Sequence, residues 1–173
     1  TLVAGKPTPA RWVGKVWALH QGMLAVADVE STYVWLTDAD ITHEPRVLAS
    51  LVTKIETENL SLVSVMATLS ISTFWDRLLI PAFVFFFAQL YPFKWVSDNS
   101  KRTAGAAGGC ILAGRKIIES QGGMESIKGE IIDDCALARL IKGDFHHDGL
   151  WLGLSHNIRS IRPYGSLRTV WNL

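Results

Sequence analysis

The sequence predicts an α/β fold, on two observations. Apolar runs rich in β-branched and aromatic residues, Tyr33-Val34-Trp35-Leu36 and Leu60 to Thr68, read as strands. Between them lie segments whose apolar residues recur at helical spacing. Alternation of this kind builds a sheet with flanking helices, which we expect to be mostly parallel.

The elements follow in order. Gly5 to Val13 carries Lys6-Pro7-Thr8-Pro9 and is a loop. Val16 to Val26 reads as a helix, with Val16, Leu19, Met23 and Val26 on one stripe. Tyr33 to Leu36 is a buried strand. Glu44 to Glu58 is a helix that turns Val47, Leu48, Leu51, Val52 and Ile55 inward. Leu60 to Thr68 alternates in part and is a strand. Gly108 to Ala113 is a strand, and a helix from Arg115 to Ser120 stops at Gly122-Gly123. Asp134 to Ile141 is a helix, and Leu150 to Leu154 and Asn157 to Arg162 are short strands.

The segment Leu78 to Phe93 stands apart because it carries no formal charge. As a helix it would span about 24 Å, short of the roughly 30 Å hydrocarbon core of a bilayer. It also contains Pro81 and Pro92, which argues against a plain transmembrane span. Trp75, Tyr91, Lys94 and Trp95 at its margins suit a helix lying at headgroup level. A buried core helix is the alternative, and Pro81 would then sit in a first turn.

With 173 residues the chain is one domain long, enough for a sizeable core. Hydrophobic residues make up 49% and charged residues 19%, so it is more apolar than an ordinary soluble domain. A net charge of +1 argues against a nucleic-acid partner, which would want a basic face. Cys110 and Cys135 are the only cysteines, and we read both as buried free thiols.

Two acidic pairs carry the chemistry. Asp38-Ala39-Asp40 closes the strand Tyr33 to Leu36, at the end where α/β sheets present ligands. Strand alternation would send Asp38 and Asp40 to one side, where a hard divalent cation can share them with substrate phosphates. The competing reading is a turn whose Asp40 or Thr42 caps the next helix. Asp133-Asp134 opens the helix that follows Ile131-Ile132, where acids also suit the macrodipole. A general base needs one positioned carboxylate and a divalent cation needs another set of hard oxygen ligands, and the sequence offers one acidic pair for each task.

Other candidates surround them. Lys15 either contacts a phosphate or is an exposed lysine at a helix start. The run Gly105-Ala106-Ala107-Gly108-Gly109 resembles a phosphate-cradling loop but lacks the Lys-Ser/Thr of a P-loop; the alternative is that its small residues let the backbone approach a bound ligand closely. His146-His147-Asp148 resembles a metal motif, but after a Lys-Gly-Asp turn it reads as a solvated loop. Arg159, Arg162 and Arg168 would neutralise either a diphosphate or a membrane surface.

In this order the motifs resemble an inverting family 2 glycosyltransferase of the GT-A (nucleotide-diphospho-sugar transferase) fold. The matching strings are Gly14-Lys15-Val16-Trp17-Ala18, Ile80 to Phe87, Leu90-Tyr91-Pro92-Phe93, Ile132 to Ala138 and Trp151-Leu152-Gly153-Leu154. They bring the chain nearest to the hopanoid-biosynthesis-associated enzymes of that family. The resemblance implies Mg²⁺ or Mn²⁺ on Asp38 and Asp40, and a nucleotide-sugar donor held by Lys15, Asp38, Asp40, Gly108 and Gly109. It also implies Asp134 as catalytic base with Asp133 beside it, a lipid acceptor, and work at the cytoplasmic face of a bacterial inner membrane. A complete enzyme of that fold opens with a β-α-β unit that binds the nucleotide base. No counterpart is legible, so residues 1–173 are expected to be the C-terminal portion of one catalytic domain, incomplete as a GT-A fold. Arg168-Thr169-Val170-Trp171 only loosely echoes the family's Gln/Arg-x-x-Arg-Trp motif. Two other functions fit the same residues: a metal-dependent phosphohydrolase or nucleotidyltransferase, and a non-catalytic lipid-binding domain.

Overall fold

A computed structural model of the chain describes residues 2–143 and 149–162. The order of elements is α1 (Gly14–Ala25), β1 (Tyr33–Leu36), β2 (Ile41–His43), α2 (Val47–Thr57), β3 (Leu60–Thr68), α3 (Phe74–Leu90) and α4 (Phe93–Val96). Then follow β4 (Ile111–Gly114), α5 (Arg115–Ser120), a 3₁₀ turn at Gly123–Ile127, α6 (Asp133–Lys142) and β5 (Gly149–Ser160).

The strands form one sheet in the order β1-β4-β3-β5-β2, buried on both faces. Period-two alternation along β3 sends Leu62 and Met66 to one face, and Val63, Val65 and Ala67 to the other. The first face packs against Val16 of α1 and Leu137 and Ile141 of α6. The second packs against Val47, Leu51 and Ile55, the buried stripe of α2. Leu48, expected to point inward with them, is exposed, because it falls off that i, i+4, i+8 row.

The sheet is mixed, which corrects the mostly parallel expectation. Only β3 and β5 pair in parallel; β1–β4, β3–β4 and β2–β5 are antiparallel. A parallel neighbour needs a crossover that carries the chain back to the start of the previous strand. The excursion through α3 and α4 instead returns the chain beside the middle of β3, where Ile111 faces Ser64, and β4 runs back from there along the first half of β3. The helix-capping reading of Asp40 and Thr42 also falls. Residues 41–43 form β2 against Ile158–Ser160, and α2 starts only at Val47, behind Arg46.

Helix α3 begins earlier than the uncharged segment, at Phe74. Thr73 caps it: its hydroxyl accepts from Asp76 N, and the Asp76 carboxylate accepts from Thr73 N at 2.9 Å. Pro81 therefore lies in the helix interior and not in a first turn. The core-helix alternative is excluded by exposure: within α3 only Asp76 and Ile80 are buried. The stretch Phe74–Val96 is long and apolar enough to cross a membrane by length and composition, with a mean hydropathy of 1.4 and 11% of it buried. That is weak support for association with a membrane.

Candidate active site

The turn after β1 positions the first acidic pair. Asp38 and Asp40 lie in the turn itself, past the end of the strand, so strand alternation does not orient them. Backbone bonds pin the turn instead: Ile41 N donates to Asp38 O, and Ile161 N to Asp40 O. The Ser160 hydroxyl, at the end of β5, donates to Asp40 Oδ2 at 2.9 Å. Before the pair, the Thr37 hydroxyl donates to the Gly109 carbonyl at 3.0 Å and lies 2.9 Å from His43 Nε2, which makes that nitrogen the donor. Desolvation lowers the His43 pKa, in keeping with a neutral ring edge-on to Trp35.

The second pair stands at the start of α6, as expected. Asp134 is locked at both oxygens: Cys135 N donates to Oδ1 and Gly108 N to Oδ2, each at 2.7 Å. Burial raises the Asp134 pKa above the ordinary carboxylate value. The Asp133 charge adds to the shift, while the two N–H bonds and Lys15 oppose it. Asp133 pairs with Lys15.

Lys15, on the first turn of α1, joins the pairs. Its Nζ is 2.9 Å from Asp38 Oδ1 and 3.4 Å from Asp133 Oδ2. Desolvation would lower its pKa, but the hydrogen bond to Asp38 and the charges of Asp133, Asp38 and Asp134 outweigh it, and the net shift is upward.

Gly108 lies in the middle of these groups. A Cβ there would come 3.1 Å from Lys15 Nζ and 3.2 Å from Asp134 Oδ2. The glycine run thus admits the protein's own side chains. Gly105 makes room for the Tyr91 ring, and Gly109 for Ile41.

Ser64, a residue the sequence reading passed over, holds this loop. Buried in β3, its hydroxyl accepts from Ala107 N at 2.8 Å and lies 3.2 Å from the carbonyls of Ala107 and Cys110. A serine in the middle of an apolar strand was the available signal. Ser64→Ala is expected to cost about 1–3 kcal/mol, because it strands the Ala107 N–H away from water. Urea unfolding of the two proteins measures this directly.

One cleft of about 210 Å³ collects most of the candidates: its lining combines Asp38, Asp40, Gly108, Gly109, Asp134 and Arg162 with the apolar Met66, Leu69, Phe83 and Phe87. Of the three open arginines, Arg162 reaches this cleft. Arg159 instead donates to the His156 carbonyl on the surface. Arg168 and His146-His147-Asp148 lie outside the described residues. Cys110 and Cys135 are buried free thiols.

The sequence profile of glycosyl transferase family 21 matches residues 13–163, a span that includes both acidic pairs, Lys15 and all five strands. The chain belongs to glycosyl transferase family 21. It is a glycosyltransferase, so the phosphohydrolase and non-catalytic readings fall away. Family 21 is distinct from family 2, to which the motifs pointed; glycosyl transfer is what the two readings share. No curated protein matches the chain.

Proposed function

We propose that this family 21 domain is a metal-dependent, inverting transferase that moves a sugar from a nucleotide-sugar donor to the hydroxyl of a lipid acceptor at a membrane surface. The carrying observation is the cleft that combines three carboxylates, Asp38, Asp40 and Asp134, with the aromatic side chains of Phe83 and Phe87; Lys15 and Asp133 line a small neighbouring pocket that shares Asp38, Gly108 and Asp134 with it.

The donor set fits Mg²⁺ or Mn²⁺. Carboxylate oxygens are the hard ligands these ions prefer, and an ammonium already rests against Asp38, so the site favours positive charge. Among the described residues no group of three or more acids, histidines or cysteines could enclose a metal unaided. An ion held by Asp38 and Asp40 would therefore need its remaining ligands from substrate phosphates and water. When bound, it neutralises the departing diphosphate.

The chain's own residues do the rest. Asp134 accepts the proton of the acceptor hydroxyl as that oxygen bonds to the anomeric carbon. The bond from that carbon to the diphosphate oxygen breaks, and the configuration inverts. The N–H groups of Gly108 and Cys135 hold the Asp134 carboxylate in a fixed orientation while it does so. Lys15 and Arg162 supply positive charge for the diphosphate. Phe83 and Phe87 receive the apolar body of the acceptor, for which the hopanoid-type alcohol implied by the sequence resemblance is one candidate. The exposed face of α3 keeps the cleft at the interface where such an acceptor lies.

Asp40→Asn and Asp38→Asn are each expected to abolish metal-dependent binding of donor and leave the fold intact. Titration calorimetry with Mn²⁺ and a nucleotide sugar tests this, and unchanged affinity in both variants would refute the metal site. Transfer of labelled sugar to extracted lipid, stopped by a chelator, tests the reaction as a whole.

A further inference from the structure

Lys15 occupies an unusual position for a donor-binding lysine. Its ammonium is committed to two carboxylates, Asp38 at 2.9 Å and Asp133 at 3.4 Å. Gly108 keeps the path to that position open, since any Cβ there would press on both Nζ and Asp134 Oδ2. Three acids, Asp38, Asp133 and Asp134, thus surround one glycine, and Lys15 is the cation that offsets their mutual repulsion. Asp38 is one of the two acids that the proposed divalent ion requires. An ammonium on its Oδ1 and a divalent cation beside it are like charges a few ångströms apart, and they compete. The lysine side chain is 44% exposed and carries a compact charge on a flexible stem, so it can leave without disturbing the core.

We propose that Lys15 is the resident counter-ion of the donor-free site: it holds the two acidic pairs together until cation and donor arrive, then yields Asp38 and turns to the diphosphate. This rests on the metal-dependent reading above. Its consequence is coupling. Cation alone must displace Lys15 with nothing to receive the ammonium, so it binds weakly. Cation with diphosphate gives the ammonium a new anion, so the two bind together. Lys15 thereby makes the site prefer the metal–diphosphate pair over either part.

The experiment measures Mn²⁺ binding by electron paramagnetic resonance, with and without inorganic pyrophosphate, in the parent protein, Lys15→Met, Lys15→Gln and Lys15→Arg. The parent is expected to bind Mn²⁺ weakly alone and more tightly with pyrophosphate. Lys15→Met and Lys15→Gln are expected to bind Mn²⁺ alone about tenfold more tightly, the scale of one nearby charge at a protein surface, and to lose the gain from pyrophosphate. Lys15→Arg, which keeps the charge, is expected to stay near the parent and shows that the fold tolerates change at this position. If the parent binds Mn²⁺ and both neutral variants bind it equally or less tightly, the counter-ion role is overturned and the metal site stands. If neither the parent nor any variant binds Mn²⁺, even with pyrophosphate, the metal-dependent reading itself is overturned.

Discussion

Asp134→Asn is expected to slow sugar transfer by about 10²–10⁴-fold, the usual cost of losing a general base. Asp133→Asn is expected to act more mildly, because its carboxylate pairs with Lys15 and is not among the groups lining the cleft. The asymmetry follows from the backbone: two N–H groups grip Asp134 at 2.7 Å each and point it into the cleft. Asparagine keeps one of those contacts at most, since its amide nitrogen faces an N–H donor. The pH profile makes the test sharper. A base works only when deprotonated, so kcat/KM falls as pH drops through the Asp134 pKa. Burial, reinforced by Asp133, raises that pKa, so the acid limb lies above the ordinary carboxylate range. The residual activity of Asp134→Asn should lack that limb. Equal and mild losses in the two variants, or an unchanged limb, would remove Asp134 from the role of base.

Local signals carried most of the architecture. The strands at Tyr33–Leu36 and Leu60–Thr68 and the helix at Arg115–Ser120 lie where composition and turn residues put them. The sheet's direction was not legible, because it is set by where the α3–α4 excursion returns the chain, a matter of tertiary path and not of local pattern. Strand β2 was hidden for a related reason. Three residues, Ile41–His43, are too few to show a period, and they become a strand by pairing with the end of β5. The site was legible in its charges and not in its supports. Asp38, Asp40, Asp134 and Lys15 were nominated by spacing and by resemblance, and all line spaces around one glycine. Ser64, Ser160 and His43 hold those residues through contacts 43 to 120 positions apart in sequence, or across a turn, which no local pattern encodes. Two cations, the buried Arg115 and the half-buried Lys142, were equally silent. Arg115 donates to the carbonyls of Ala27 and Val29 and fixes the α1–β1 loop. Lys142 gathers the carbonyls of Trp95, Val96, Asp98 and Thr103 and ties α6 to the segment behind α4.

Phe85→Asp combined with Phe86→Asp is expected to release the protein from lipid vesicles while leaving the cleft intact. Both rings point into solvent, 59% and 63% exposed, and pack edge to face on each other. Neither lines the cleft, whereas Phe83 and Phe87 do. The helix therefore divides its aromatic residues between two places, one set lining the cleft and one set exposed on the surface. Phe74, Leu78 and Leu90 extend the exposed apolar surface along the same helix. An apolar patch of this kind is unfavourable in water and marks a surface meant to be covered. Each phenyl group buried in a bilayer contributes roughly 1.5–3 kcal/mol, so losing two should lower vesicle partitioning by at least about a hundredfold. Folding should survive, because neither side chain contributes to the core. Phe87→Asp makes the contrast: that ring packs on Tyr91 and Phe93 against the main core, so its replacement should destabilise the domain itself. Flotation with vesicles reads the partitioning, and transfer to a detergent-dispersed acceptor reads the chemistry. The double variant should lose activity on vesicle-embedded acceptor and keep it in detergent. If it floats with the vesicles as the parent does, α3 is not the membrane-facing element, and its exposed aromatic residues serve some other contact.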